Sequence, residues 1–212
     1  MIFIGNSSPP LTFLSHYSAA SRSFIPTTDA GGVSGNLMVA MGLWGNGDPV
    51  NYNSSIPSGW SDCSVQYGSD LYTLGFSCYA KRLDGTETNP ITLINSSPNQ
   101  YRLDVLVFSG GGNSISSGSI SAQVIRNTPS TQTVLSSGVE TPLIIIGAAS
   151  AYLYYSVQAV LTMSNDGNYQ QAAGGFTTDV GFKLYNSSPS NENVSMNNIQ
   201  TNMLNSFYIK VI

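Results

Sequence analysis

Residues Leu37–Leu43 read LMVAMGL, a continuous apolar run of strand length. A run of this kind, bounded by turn residues, is typical of a strand that is buried on both faces. The turn-forming sequence NGDP at Asn46–Pro49 follows it closely. We therefore expect Leu37–Leu43 to be a central strand of a β-sheet.

A second strong pattern follows at Leu71–Ala80, which reads LYTLGFSCYA. Its even-numbered residues fall on one face and its odd-numbered residues on the other, which is the period of an extended strand. The preceding segment Ser61–Tyr67 also has strand character, and Gly68–Asp70 lies between the two as a turn. The whole region predicts a β-hairpin.

Segments of strand length recur along the rest of the chain at short intervals, separated by turns rich in Gly, Pro and Asn, and no segment has a convincing helical period. This spacing is typical of a sandwich or barrel. We predict an all-β fold, namely a two-sheet antiparallel β-sandwich. The further strands are expected at Ile2–Ile4, Leu11–Leu14, Ser21–Ile25, Ile91–Ile94, Arg102–Ser109, Ile120–Ile125, Thr133–Leu135, Leu143–Ala149, Ser156–Met163, Val180–Tyr185 and Ser206–Ile212.

The chain shows no clear domain boundary. The best candidate is Gly110–Gly118, which we interpret as a crossover between two sheets. We expect the last strand, Phe207–Val211, to pair with a strand from the first half of the chain. That pairing would make residues 1–212 a single β-sandwich domain.

Composition excludes several classes of function. Charged residues make up only 8% of the 212 residues, against roughly 25% in an average soluble protein. The net charge is −4, and only seven Lys and Arg are present. A surface that tracks nucleic-acid phosphates needs more positive charge, so we expect no nucleic-acid partner. Low charge with many Ser, Thr and Asn favours a protein built for a surface or an assembly.

One stretch, Leu143–Met163, is uncharged and about as long as a membrane-spanning helix. Polar or small residues such as Gly147, Ser150 and Gln158 interrupt it, and no Lys or Arg flanks it. We expect two buried strands joined by a Tyr-rich turn instead, and therefore no membrane partner.

The two cysteines, Cys63 and Cys78, lie on opposite strands of the predicted hairpin. A turn of two or three residues would place them about 10 Å apart along the ladder. A disulfide needs Cα atoms within about 7 Å of each other. We therefore expect two free, buried thiols.

Catalytic and metal-binding residues are scarce. His16 is the only histidine, so a Ser-His-Asp or Cys-His site would have to use it, and its context LSHYS is not a nucleophile elbow. Of the carboxylates, only Asp62, Asp104 and Asp179 fall on or beside predicted strands. The loop Asn165–Asn168, NDGN, offers oxygen ligands but lacks the flanking acidic positions of a calcium loop. We assign no catalytic, cofactor-binding or metal-binding residue and expect no cofactor and no enzyme activity.

Aromatic residues are the remaining candidates for a functional role. Tyr152, Tyr154 and Tyr155 cluster in the sequence, and tyrosines of this kind pack internally, fill subunit interfaces or stack on sugar rings. Trp60 follows the turn Pro57–Gly59, where Gly59 permits a conformation that turns the ring inward. We expect Trp60 to be a structural anchor rather than a ligand contact.

An ordered series of five short features occurs in the first half of the chain. They are a short strand followed by Gly and Ser, a buried strand after a Gly-Asn turn, a Pro-X-Gly-Trp turn, an aromatic strand that leads to basic and acidic residues, and a strand that ends in aromatic-X-Gly. The series resembles a β-sandwich module of tailed-bacteriophage virion proteins and related bacterial surface proteins, over about residues 2–110. The residues that carry it are 3–8, 35–40, 57–60, 78–87 and 107–110.

The resemblance implies a jelly-roll-like fold with a structural or adhesive role and no catalysis. We expect a virion protein, foremost a capsid decoration or cement protein that stabilises the head shell. Its partners would be other virion proteins, the major capsid protein first, and a homo-oligomer such as a trimer would match the threefold positions of the shell. The alternative is a tail-fibre or tail-tip module that binds host surface glycans.

Overall fold

The computed structural model describes residues 8–45, 56–63, 67–68, 74–94, 100–125, 129–152, 160–173, 176–196 and 202–212. Within these ranges the chain consists of strands and turns, and no helix occurs. The strands are β1 Thr12–Ala19, β2 Ser23–Phe24, β3 Leu37–Gly45, β4 Ser61–Asp62, β5 Tyr67–Gly68, β6 Gly75–Arg82, β7 Ile91–Thr92, β8 Gln100–Ser109, β9 Ile115–Ile125, β10 Ser130–Val134, β11 Leu143–Tyr152, β12 Leu161–Thr162, β13 Gly167–Ala173, β14 Phe176–Tyr185, β15 Glu192–Met196 and β16 Asn202–Val211.

The first half of the chain forms one antiparallel sheet, which we call the N-terminal sheet. Its order is β1-β8-β3-β6-β4, and β5 also pairs with β6. Every residue of β3 is buried, and β3 lies between β8 and β6 as the central strand. The prediction of a buried central strand at Leu37–Leu43 is therefore confirmed.

The second half forms the C-terminal sheet, in the order β13-β14-β11-β16-β9. The last strand, β16, pairs with β11 and β9. Both partners belong to the second half, so the expected pairing with a first-half strand is wrong. The crossover between the sheets is confirmed, although it is only Gly110–Ser114, because β9 already begins at Ile115.

The two sheets pack face to face as a β-sandwich, which confirms the predicted fold class. Their inner faces share one apolar cluster, in which Phe76 lies 6.0 Å from Phe207 and Phe108 lies 5.4 Å from Phe182 between ring centroids. The strand order does not establish the jelly-roll-like connectivity that the resemblance implied.

Smaller layers cover the outer faces. The β2–β7 ribbon and the neighbouring loops cover the N-terminal sheet over an apolar cluster that includes Phe24 and Trp60. A three-stranded sheet, β10-β15-β12, covers the C-terminal sheet over a third cluster that includes Ile145 and Val194. The central strands β3, β8 and β11 are thus covered on two faces, as their near-continuous apolar sequences require.

The predicted hairpin register is wrong. Ser61 lies opposite Ala80 in the β4–β6 pair, whereas the predicted turn would have placed it opposite residue 76 or 77. Gly68, assigned to the turn, lies in β5 and pairs with Gly75. β4 and β5 pair with β6 in different registers, because Asp62 lies opposite Tyr79 and Tyr67 opposite Phe76. A single regular hairpin has one register.

Other predicted segments differ in extent. Strand β1 is twice as long as expected, and β13 and β15 were not predicted. Residue 167, placed in a turn from its sequence, begins β13. Predictions at Ile2–Ile4 and Asn46–Pro49 lie outside the described residues.

The apolar stretch at residues 143–152 is strand β11, as expected. In the portion of the chain that the structure describes, no helix has the length and apolar character needed to cross a membrane.

Candidate functional site

A shallow groove lies on the outer side of the N-terminal sheet, between the turn that carries Trp60 and the segment that leads into β7. Its volume is about 420 Å³, which is within the range of small-ligand sites. Apolar and polar side chains line it together. The apolar members are Pro57, Trp60, Pro90 and Ile91, and the polar members include Ser58, Lys81, Glu87, Asn89 and Thr92.

Lys81 and Glu87 form an ion pair in the lining of this groove, with Nζ 2.6 Å from Oε1. The backbone N–H groups of Asp84 and Gly85 also donate to the Glu87 carboxylate, at 3.1 and 3.0 Å. Burial alone would raise the pKa of Glu87, but the bonds from Lys81 and the backbone hold it below its usual value. The same bond raises the pKa of Lys81.

Lys81 also lies 3.7 Å from the exposed Asp84 carboxylate, which is outside the lining. The charged side chains that line the groove, Lys81 and Glu87, offset each other, so the lining has no net charge. Such a lining suits a neutral, hydroxyl-rich ligand better than an ionic one.

Trp60 contributes little ring surface to the groove, because it is only 7% exposed. The backbone N–H of Trp60 donates to the Pro57 carbonyl at 3.0 Å, and Gly59 has a positive φ of 79°. The indole packs edge-on against Phe24, with ring centroids 6.5 Å apart. The expectation that this turn directs the ring into the core is therefore confirmed.

A second polar cluster lies between the two large sheets, at the side where β1 faces β13. The His16 Nε2 atom is 2.8 Å from Asp104 Oδ1. The imidazole stacks on Tyr169 of β13, with ring centroids 3.8 Å apart and planes inclined by 19°. Asp104 is fully buried, and burial raises its pKa although the His16 contact opposes the rise.

This cluster holds two of the three parts of a catalytic triad. Among the described residues, no hydroxyl or thiol is hydrogen-bonded to the His16 ring. A nucleophile poised against the base, which nucleophilic catalysis requires, is thus not assembled here. The observed contacts instead tie β1 of one sheet to β13 of the other.

The other candidate carboxylates lie on strands or make contacts within the protein. Asp62, Asp104 and Asp179 lie on strands β4, β8 and β14, as expected. Asp166, in the loop considered for calcium, accepts from Lys183 Nζ at 3.1 Å and from the Leu184 N–H at 2.8 Å. In the described ranges, no three His, Cys, Asp or Glu side chains gather to hold a metal ion.

The thiols of Cys63 and Cys78 are free and buried, as expected. Of the tyrosines that cluster in the sequence, Tyr152 is the last residue of β11. Tyr154 and Tyr155 lie outside the described residues.

A further feature was not found by sequence reasoning, namely the edges of the sheets. Among the described residues, the edge strands of five or more residues are β1, β9, β10 and β13. Their sequences are TFLSHYSA, ISSGSISAQVI, STQTV and GNYQQAA, and none contains Asp, Glu, Lys or Arg. Proteins that stay apart in solution usually place charges, especially Lys, on such edges.

Comparison with known proteins adds no relative: no family model, no curated protein and no solved structure matches the chain.

Proposed function

We propose that this chain is a non-enzymatic structural protein of a tailed-phage virion, and foremost a capsid decoration or cement protein that stabilises the head shell. It would act as a homo-oligomer in contact with other virion proteins, the major capsid protein first. The resemblance over residues 2–110 supports the virion assignment, and the β-sandwich is the fold that this resemblance implies.

The observation that carries the proposal is the uncharged character of all four longer edge strands that the structure describes. An edge strand offers a row of backbone donors and acceptors that another chain can pair with. Without charged side chains, these strands lack the charge repulsion that usually opposes such pairing. An assembly protein needs such edges, whereas a monomeric enzyme must protect against them.

The stabilising mechanism would be simple mass action. A chain that binds the assembled shell but not its separated subunits shifts the equilibrium towards the shell, by an amount that grows with the logarithm of its free concentration. No catalytic residue is needed for that effect.

The test is to locate the chain in particles of the virus that encodes it, by electron microscopy with antibodies raised against the purified protein. Label on the shell lattice supports the proposal. The heat stability of shells that lack the chain should then rise when the purified chain is added back. Label confined to the tail, or to neither part, would refute the decoration assignment.

The groove beside Trp60 favours the alternative, a tail-fibre or tail-tip module that binds host glycans. Its neutral polar lining and apolar wall suit a sugar. Asn89→Ala, in the groove lining, should then abolish binding to host cells, whereas Glu140→Gln, at an exposed carboxylate paired with Lys210, should not. Antibody label on the tail of the particle would favour this alternative over the decoration assignment.

A further inference from the structure

One side of the β-sandwich is formed by two edge strands that lie one above the other. β1 ends the N-terminal sheet and β13 ends the C-terminal sheet. We call these two strands together the edge wall. Within the part of the chain that the structure describes, β1 pairs only with β8 and β13 only with β14, so no described strand pairs with the outward side of either.

Side-chain contacts hold the two strands of the edge wall at a fixed separation. Tyr169 of β13 stacks on His16 of β1, and its ring also lies 6.0 Å from that of Phe13. The Asn186 side chain, directly after β14, bonds both backbone groups of Leu11, at 2.6 and 3.0 Å, which ties the segment before β1 to the C-terminal sheet. The edge wall is therefore a pair of edges held at the separation of packed sheets, about 10 Å.

The opposite side of the sandwich is less suited to strand pairing. There β4 contributes only two residues and carries Asp62. Its counterpart β9 is irregular, since its register with β16 shifts near Ser119, which has a positive φ of 49°. β13, in contrast, keeps an unbroken register over its full length. The register shift of β1 lies near its start, between Phe13 and Ser15, and the strand is regular from Ser15 to Ala19.

We propose that the edge wall pairs with the edge wall of a second copy of this chain. A twofold axis perpendicular to the sheets would set β1 antiparallel to β1 of the second copy and β13 antiparallel to its β13, extending both sheets across the interface. This inference deepens the proposed assembly function and rests on it.

Two arguments favour a second copy over another partner. A single peptide strand could cover only one of the two edges, whereas a second copy offers two edges at the same separation. Each copy also carries a net charge of −4. Electrostatic repulsion between two copies is therefore weakest where the contacting surfaces carry no charged residues. The edge wall has no Asp, Glu, Lys or Arg, and Leu14 of β1 is an exposed apolar side chain on it, at 49% exposure.

The size of the surface sets the expected strength. Eight residues of β1 span about 27 Å, and the two edges together would bury on the order of 1,000 Å² in total. That area is at the lower limit of specific interfaces, so we expect dissociation constants in the micromolar range.

Sedimentation and hydrogen exchange test the pairing in solution, without any shell. We expect a dimer that dissociates on dilution, and outward amides of β1 and β13 that become protected as the dimer forms. A strict monomer at high concentration, a trimer, or protection at β9 or β10 instead would overturn the inference. Protection of the edge wall only when shells are added would assign the wall to the shell protein, and so would also overturn it.

A matched pair of variants locates the contact. Leu14→Lys places a charge on the edge wall and should weaken self-association by at least about tenfold. Leu135→Lys makes the same change at a residue that is 62% exposed and lies just beyond β10, and should leave association unchanged. Equal effects of both variants would overturn the inference. If Leu14→Lys does not fold, hydrogen exchange on the unaltered chain still tests whether β1 and β13 form the contact. Because the position in the particle is measured separately, failure of the edge pairing and failure of the proposed function give different results and can be distinguished.

Discussion

At the scale of single residues, Trp60 illustrates how one side chain can link a loop to a core. Its ring is almost fully buried and contacts Phe24 under the β2–β7 ribbon. We predict that Trp60→Ala lowers the free energy of unfolding by about 3–5 kcal/mol, because truncating a buried aromatic leaves a cavity. The melting temperature should fall by roughly 10 °C.

Thermal unfolding followed by circular dichroism measures this effect. Ser58→Ala, in the same turn but at an exposed residue, is the control and should melt like the parent protein. A Trp60→Ala variant with unchanged melting but lost binding to host cells would contradict the anchor interpretation and favour the glycan-binding alternative.

Asp179 provides a second prediction at this scale. Its carboxyl group is 2% exposed and accepts the Leu161 N–H at 2.8 Å, while the other oxygen has no hydrogen-bond partner among the described residues. Burial raises its pKa from 3.8 to about 6, although bonds from Leu161 and Asn168 oppose the rise. The folded chain therefore holds this proton more tightly than the unfolded chain does.

The free energy of unfolding should therefore fall as pH rises from about 4 to about 6. The Asp179 carboxyl group accounts for on the order of 3 kcal/mol of this fall. The buried Asp104 acts with the same sign, since its pKa is also raised by burial. Asp179→Asn should flatten the pH dependence and be at least as stable as the parent at neutral pH. Urea titrations across this pH range measure it, and an unchanged slope would attribute the dependence to other groups.

Single-residue roles could be predicted where the local sequence determines them. The Pro57–Gly59 turn is sufficient to direct Trp60 inward. The contacts of His16 could not be predicted, because its partners, Asp104 and Tyr169, lie far along the chain and on different sheets. Only the packing of two sheets brings these three residues together.

At the scale of elements, the β4–β6 pairing places Cys63 directly opposite Cys78, and the Cys63 N–H donates to the Cys78 carbonyl at 2.9 Å. Opposed residues in such a pair have Cα atoms about 5.5 Å apart, close enough for a disulfide. The thiols are nevertheless free, so the expected outcome held although the register argument behind it was wrong.

We predict that neither thiol reacts with an aromatic disulfide reagent in the native protein, and that both react in denaturant. Both side chains are fully buried, and burial together with the neighbouring Cys63 raises the pKa of Cys78, which keeps its thiol protonated. Absorbance of the released thiolate measures the reaction. Rapid native labelling of one cysteine would mean that β4 opens readily, and an intact mass lower by two hydrogens would reveal a bridge.

The elements that could be predicted are those whose pattern reflects burial. β3, β8 and β11 are apolar enough to be recognised without neighbours, since both of their faces are covered. β13 and β15, GNYQQAA and ENVSM, were missed because their sequences lack a run or alternation of large apolar residues. They become strands because the edge of an existing sheet pairs with them, which is tertiary context and not local preference.

At the scale of the whole molecule, each large sheet comes from one half of the chain, and the main apolar cluster lies between the halves. The inner face of the N-terminal sheet contributes residues such as Leu43 and Phe76, and that of the C-terminal sheet contributes residues such as Ile146 and Phe207. Neither half can bury its inner face alone, because the smaller outer layers cover only the opposite faces.

We therefore predict that residues 1–112 and 113–212, expressed separately, do not fold to stable monomers and instead aggregate or stay unfolded. The cut falls in the crossover Gly110–Ser114, so it divides no strand. An isolated half would expose a large contiguous apolar face, well beyond what soluble monomers tolerate. When the halves are co-expressed, the shared cluster can form, and we expect a soluble complex with the far-ultraviolet circular dichroism of the intact chain. A cooperative thermal transition in either isolated half would show that its sheet is stable without the other, and the sandwich would then be two units joined by a short link instead of one core built from both.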